Sequence, residues 1–582
     1  MKILILMIGA FLGYIVAYYV YGKFLATRVF GLKKDAPIPS IEYEDGEDYV
    51  PTKKGIVFGH HYTSIAGTGP IVGPAIGVIW GWLPAFLWVF LGSIFMGAIH
   101  DFGSLVISLR NKGKSISETA AHYIHPRVKT LFYLIVFFEL LIVIAVFGLV
   151  IAVIFDKYPQ AVFPIWCEIP IAIAVGYWIT KKKANVTITT IIAVAIMYVT
   201  VVAGHFYPFT MPALGKIPAT GVWTIILLIY AYIASVLPVT TLLQPRDYIN
   251  AWQLFIAFGL ICVGVISSAF TADLKIVAPA VNLHPKGAPP MWPFLFIIIA
   301  CGAISGFHTL VSSGTSSKQL AAETDAQLIG YGSMLMESAL AVLVIIACCA
   351  GIGLAYTSKE GSTLTGVYAW EAHYGAWSSA SGLGAKINAV VVGAANMLAT
   401  FGLPKALGII IMGVFIASFA GTTLDTATRV QRYIISEMME CLNIKTFVNK
   451  WMATLLAVGT ALILAFATGA AGSGALTLWP LFGAVNQLLA GLALIVITLY
   501  LKRKGPWYWL TLIPTLFILI LTIHGLLINV IDFMGKGNWL LVVIGAICLL
   551  LSAWVIIEGI VAFLTSSRHK GSNSHDGVLP KV

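Results

Sequence analysis

Charge is what this sequence lacks. Asp, Glu, Lys and Arg make up only 10% of its 582 residues, against 59% apolar residues, and the mean hydropathy is +0.93. That composition excludes a soluble globular chain, in which about 25% of residues are charged. Cysteine is sparse as well: seven residues, including the adjacent Cys348 and Cys349, show no C-x-x-C and no metal-ligand spacing, which argues against a disulfide framework. No H-E-x-x-H and no G-x-S-x-G occurs, so the common zinc-hydrolase and serine-hydrolase signatures are absent.

What is there is a succession of long apolar runs. A bilayer core about 30 Å thick needs roughly 20 apolar residues per helix. By that rule the chain is an all-α polytopic membrane protein with about fifteen transmembrane helices, at 3–22, 60–80, 83–108, 130–155, 161–180, 186–205, 220–243, 250–272, 292–316, 329–355, 404–425, 451–470, 476–500, 507–530 and 538–564. The first run is read as a retained anchor, because basic residues follow it and no A-x-A site does. Residues 386–402, which contain the segment INAVVVGAANMLATFG (387–402), are read as an interfacial or re-entrant helix.

Lys and Arg collect in alternate loops, beginning with Lys23, Arg28, Lys33, Lys34, Lys53 and Lys54, and this model leaves none inside a span. The positive-inside bias then predicts an external N-terminus and a cytoplasmic tail with Arg568, Lys570 and Lys581. The formal charge of +11 follows mostly from that bias and calls for no nucleic acid. The acidic run EYEDGED, Glu42 to Asp48, reads as a solvated loop.

One apolar run breaks its own helix. GHHYTSIAGTGPIVGP (59–74) carries Gly67, Gly69, Pro70 and Pro74. Proline has no N–H and clashes with the carbonyl four residues back, so Pro70 frees the carbonyl of Ala66, and the N–H groups of Thr68, Gly69 and Ile71 face forward. In hydrocarbon such groups persist only where protein, water or a ligand satisfies them. Gly69, Gly73 and Gly77 share one face for close helix packing. ASVLPVTTLLQPRDYIN (234–250) predicts a second break at Pro238, and GAISGFHTLVSSGTSSK (302–318) interrupts a third span with glycines and hydroxyls. FAGTTLDTATR (419–429) sets Asp425 among threonines at the inner end of its span.

Counting spans, the helix at 60–80 and the helix at 220–243 run in opposite directions, five spans apart. This predicts two inverted five-helix repeats, 60–205 and 206–435, preceded by an anchor and loop (1–59) and followed by additional helices and a tail (436–582). It is the LeuT-like 5+5 arrangement, in which substrate and ions bind where the leading helices unwind.

The segments GHHYTSIAGTGPIVGPAIGVIWGWLPAFLWVFLGSIFMGAIHDFGSLVISLRNKGKSI (59–116), LPVTTLLQPRDY (237–248) and SGFHTLVSSGT (305–315) resemble the carbon starvation protein CstA family of bacterial and archaeal inner-membrane transporters. The resemblance covers at least residues 55–435. It implies secondary uptake of small organic nutrients when carbon is scarce, with short peptides and pyruvate as substrates of different members, and a place in the LeuT-like superfamily.

The expected function is therefore a cation-coupled symporter for a small carboxylate-bearing substrate, with no cofactor beyond Na+ or H+ and with the lipid bilayer as its other partner. The substrate is expected at His61, Ser64, Gly67, Thr68, Gly69, Ser235 and Leu237, and the cation at Ala66, Thr309, Ser312 and Ser313. Ionisable groups inside spans are costly and usually functional. His60, Asp101, Glu139, Arg246, Asp247, His308 and Asp425 are thus the expected proton relay or gate, with Asp101 and Arg246 as a candidate pair and Glu139 as a candidate proton carrier. Glu168, Glu337 and Glu558 fit that argument less well. The rival readings are a channel or nutrient sensor on the same fold and, more remotely, an intramembrane hydrolase with a metal at His60, His61, His100 and Asp101.

Overall fold

The structure, a computed structural model, describes residues 2–358 and 360–566, apart from the Thr180 side chain. The tail expected on the cytoplasmic side, with Arg568, Lys570 and Lys581, lies outside the described residues. Among the described residues thirteen helices are long and apolar enough to cross a membrane, beginning with Lys2–Val29 and ending with Trp539–Thr565. Two more crossings are made of shorter pieces, Met291–Ile298 followed by Gly306–Gly314, and Lys450–Phe466.

Cross-chain contacts sort the loops onto two faces, called near (bearing residues 30–53) and far. On the near face Val50 donates to the Lys318 carbonyl, Val239 to that of Glu47, and Lys450 pairs with Glu47. On the far face Trp82 donates to Pro279, Val277 to Cys349, and Thr220 to Ala471. Helix Leu383–Ala399 has both ends on the far face: Lys157 reaches the Gly384 carbonyl at 3.3 Å, and Thr400, just past its end, bonds Ser268 at 2.9 Å. It does not cross, in keeping with its reading as an interfacial or re-entrant segment.

Two spans are broken, and they lie side by side. The first runs Lys54–Ala66, turns at Gly67 (φ +42°) and Thr68, and resumes as Gly69–Gly77. Pro70 sits in the first turn of the second half, where a missing N–H costs nothing. Ile71, expected to be free, donates instead to the Thr68 carbonyl at 3.2 Å. The other break is at residues 299–305, with Gly302 at φ +91°. Gly69 faces Cys301 and Gly77 faces Ile299, while a Cβ on Gly73 would stand 2.6 Å from the Ile298 carbonyl oxygen. The glycine face read from the sequence is thus the seam between the breaks.

The expected break at Pro238 is not there. Helix Ala219–Val236 is continuous, and Pro238 follows its near end in a turn before Leu243–Thr271. The division of the chain at residue 206 depended on that break. Arg246 and Asp247, read as loop residues, lie in the first turns of a helix, so a cation does occur within a span. Of the helices expected as additions, 479–504 is buried in the core, and 450–466 packs on it by one face while Leu455 and Ile463 on the other are exposed. The long helices 128–157 and 405–441 lie along one another, with 219–236 and 450–466 against both. Helix 243–271 supports the first half of one broken span, and helix 479–504 supports the second half of the other. The pair 159–179 and 186–206 packs mainly on itself and on 243–271, and shows Ile188, Ile191 and Val199 on its outer surface.

The seam carries a direct test. Gly73→Val forces a side chain into backbone and should destabilise the purified protein by about 1–3 kcal/mol, read as a lowered Tm. Gly9→Val, where a Cβ meets nothing within 4 Å, should leave Tm unchanged.

Candidate functional site

The breaks open on one cavity of about 710 Å³, which reaches the far face at Lys386, Asp532 and Lys536. Gly67, Thr68 and Gly69 line it from one side, Ala300 and Cys301 from the other, and Val72, Ile76, Phe147, Phe294 and Phe307 make much of its wall apolar. The Thr68 and Gly69 N–H groups have no hydrogen-bond partner among the described residues. They point out of the positive end of a half-helix, an arrangement suited to an anion. The corresponding end of helix 306–314 is already occupied: the Phe307 N–H donates to the Asn486 side-chain oxygen at 2.9 Å, and Asn486 also bonds Ser305.

From the second break a chain of titratable side chains runs through the interior. The Gly302 N–H donates to one oxygen of Glu337 at 3.1 Å, and the other oxygen stands 3.3 Å from His308 Nε2. His308 Nδ1 lies 2.9 Å from Asp101, whose other oxygen is 2.7 Å from His100 Nδ1. His100 Nε2 reaches Thr309 at 3.1 Å, and Thr309 bonds Ser104. Every one of these titratable side chains is fully buried, so each charge depends on its neighbours for compensation.

A second buried network lies nearer the near face. Arg246 pairs with Asp425 and, at 3.3 Å, with Glu168, and donates to the Tyr230 hydroxyl, which itself bonds Asp425 at 2.7 Å. His60 pairs with Asp247 and meets Thr315 at 3.2 Å. The expected gate between Asp101 and Arg246 is therefore corrected: each has its own partners in a separate network. Glu139 is buried with neither oxygen hydrogen-bonded among the described residues, and it does not line the cavity.

Of the expected substrate residues, Gly67, Thr68 and Gly69 line the cavity. His61 instead bonds Ser316 at 2.7 Å, Ser64 bonds Thr426 at 3.0 Å, and Ser235 and Leu237 sit at the near end of their helix, where the Leu237 carbonyl accepts from Arg429. The expected cation set does not assemble around Ala66. Thr309 faces helix 98–110, Ser313 accepts from the Ile116 N–H at 3.1 Å, and Ser312 is buried without a hydrogen bond among the described residues. The hydroxyls at the first break come from helix 405–441: Thr423 donates to the Ser64 carbonyl at 3.3 Å and faces Gly67. FAGTTLDTATR held that signal in its threonines. Glu337 was ranked below the other intramembrane ionisable residues, and Asn486, Lys386 and Lys536 were missed as site residues, since no local motif joins residues so far apart in sequence.

Two charged sites outside the spans bound the cavity's path. Lys386, on helix 383–399, is buried against Trp479, and that burial lowers its ammonium to about 8. At the near face the run EYEDGED is exposed from Glu42 to Glu47, as a solvated loop should be, and departs from that reading only at Asp48. Asp48 pairs with Arg429 at 2.6 Å and Arg432 at 3.0 Å, and accepts from the Tyr433 hydroxyl. Burial alone raises its carboxyl, but Arg429, Arg432 and Lys318 override that and hold it at about 2.

Two broken helices meeting antiparallel at a central cavity, supported by two pairs of long helices, define a LeuT-like membrane transporter. The chain belongs to the carbon starvation protein CstA family, whose profile matches residues 2–525. It is 33% identical to the peptide transporter CstA of Campylobacter jejuni subsp. jejuni, over 92% of this chain and 81% of that protein. It is 31% identical to the pyruvate/proton symporter BtsT of Escherichia coli K12, over 88% of this chain and 80% of that one. Among solved structures, a manganese transporter of Eremococcus coleocola aligns with TM-score 0.51 and 11% identity, over 89% of this chain and 99% of that one, a likeness of fold.

Asp48 ties the strap 30–53 to helix 405–441 and closes the near side. A carboxyl held at about 2 gives stability that is complete above its unfolded value near 3.9 and is lost only as pH falls towards 2. Closure should therefore be flat from about pH 5 to 8. In a variant whose sole cysteine is Cys301, Asp48→Ala should slow far-side alkylation by a charged thiol reagent roughly fivefold, about 1 kcal/mol of population shift.

Proposed function

We propose that the chain is an alternating-access symporter that uses protons to import small carboxylate-bearing nutrients, short peptides first, across the inner membrane. One observation carries the reading: unpaired N–H groups at the first break share a cavity wall with a second break tied to a buried chain of titratable side chains. The substrate carboxylate sits on the Thr68 and Gly69 N–H groups, and Lys386 and Lys536 draw it in at the mouth. The cavity lies within the roughly 300–1,000 Å³ range of small-molecule sites and exceeds what a three-carbon acid fills, which favours a peptide. The sequence's pyruvate reading is retained as the alternative substrate, supported by one relative's name and by an anchor that needs only a carboxylate.

Glu337, His308, Asp101 and His100 carry the coupling proton. Buried imidazole and carboxylate in contact exchange protons without an ion crossing hydrocarbon alone. The near face is cytoplasmic, because Lys33, Lys34, Lys112, Lys114, Arg429 and Arg432 gather there, and the N-terminal end of the first span is external. The two inverted units are then 54–157 continued by 219–271, and 291–504, with 159–206 an inserted hairpin and 383–399 a lid.

Uptake into proteoliposomes of a labelled dipeptide and of labelled pyruvate, each under an imposed proton or sodium gradient, tests this. The dipeptide should accumulate under the proton gradient. Accumulation of pyruvate alone selects the second substrate, sodium dependence overturns the coupling, and equilibration without accumulation indicates a channel. Gly69→Leu, which drives a side chain into Cys301, should abolish uptake while membrane insertion persists. Glu337→Gln should abolish most gradient-driven accumulation, because the buried chain then lacks its ionisable link to the second break, while dipeptide exchange continues.

A further inference from the structure

We propose that Cys301, His308 and Glu337 form a binding site for a zinc-like transition-metal cation, filled from the cavity and inhibitory when occupied. One ligand atom from each lies within 4.8 Å of the others. His308 Nε2 and Glu337 Oε2 stand 3.3 Å apart, fully buried, yet neither makes a hydrogen bond among the described residues. The two atoms stand at ion-pair distance without hydrogen-bond geometry, so both can turn to a shared cation. Cys301 closes the triangle from the non-helical turn of the second break, and it lines the cavity.

The ligands are already oriented. Metal-bound histidines characteristically give their other ring nitrogen to a carboxylate, and His308 Nδ1 meets Asp101 at 2.9 Å. The remaining oxygen of Glu337 accepts from the Gly302 N–H at 3.1 Å, and Cys301 Sγ contacts Ser305 at 3.4 Å. Each ligand therefore has a supporting partner. A sulfur, an imidazole and a carboxylate suit a borderline-soft cation and disfavour magnesium or calcium. Bond lengths of about 2.0–2.3 Å require the triangle to contract by about an ångström, and Cys301, on a segment outside any helix, is the ligand free to move. Binding releases the thiol proton and leaves the fourth position open to the cavity.

Filling the site would tie the second break to helix 323–354 and take His308 and Glu337 out of proton traffic. That inhibitory consequence rests on the proposed transport reading; the binding itself does not.

The test is titration of the purified full chain in nanodiscs with Co2+, read by its thiolate charge-transfer absorption with no gradient present. One equivalent should bind and be displaced by Zn2+. Cys301→Ser should abolish the band and weaken Zn2+ by at least the roughly 10–100-fold that loss of a supporting group costs, whereas Cys441→Ser, at an exposed cysteine, should retain it. Alkylating Cys301 in the folded wild type should also abolish the band, which covers the case of a misfolded variant. No thiolate band in the wild type, or one that survives loss of Cys301, overturns the site. In proteoliposomes far-side Zn2+ should stop wild-type uptake, and whatever uptake Cys301→Ser retains should resist it. A failed Co2+ titration leaves proton-driven uptake standing, and failed proton coupling leaves the Co2+ result standing.

Discussion

Backbone that leaves its helix inside a membrane must be satisfied by something other than water, and this fold is organised around that demand. The two breaks meet along Gly69, Gly73 and Gly77, where side chains would keep the backbones apart. On the second break several exposed groups are answered: the Gly302 N–H by Glu337, the Phe307 N–H by Asn486, and the Ile299 carbonyl by the indole of Trp88 at 2.9 Å. On the first, Thr68 and Gly69 keep their N–H groups free towards the cavity.

The near half is closed by buried ion pairs and the far half is not. Asp48 joins the strap 30–53 to helix 405–441, Arg246 joins 243–271 to that same helix and to 159–179, and His60 joins the first broken span to 243–271. A buried pair gains little stability over well-packed apolar side chains, but removing one partner leaves the other charge uncompensated, more severely for the fully buried Arg246 and His60 pairs than for the partly exposed Asp48. On the far side the segment leading into helix 383–399 is held by Tyr374 donating to the Ala75 carbonyl at 2.6 Å and by a tilted contact of Trp377 with Trp80. The ion pairs close the near end, and the cavity opens on the far face.

Much of this was legible in the sequence because membrane depth suppresses alternatives. Runs of apolar residues mark spans whatever their partners, and a Gly-Thr-Gly-Pro stretch inside a run has few structural explanations, so the first break and its glycine face were readable in advance. Pro238 misled because proline marks the end of a helix as often as a break within one, and nothing local tells which. That 383–399 does not cross was legible from the alternation of basic loops, which one more span would reverse, whereas Arg246 was assigned to a loop because it falls between the apolar runs 220–243 and 250–272. What sequence spacing could not reveal is pairing between spans: Glu337 with His308, Asn486 with Phe307, and Asp48 with Arg429 are each more than twenty residues apart, and their identity as partners is a property of packing alone.

The absence of Lys and Arg from the cavity's inner end has a physical logic. An ammonium there would hold an anion strongly in every conformation, because a point charge acts over distance in a low dielectric. Backbone N–H groups at a half-helix terminus act over hydrogen-bond range, and their effect falls off within a turn. In the proposed transport cycle, a carboxylate held by Thr68 and Gly69 alone is bound only while the two halves of that helix keep their present angle. Tilting Lys54–Ala66 against Gly69–Gly77 would redirect those donors and weaken the hold as the near side opens. On the same proposal the lysines at the mouth serve entry without opposing release.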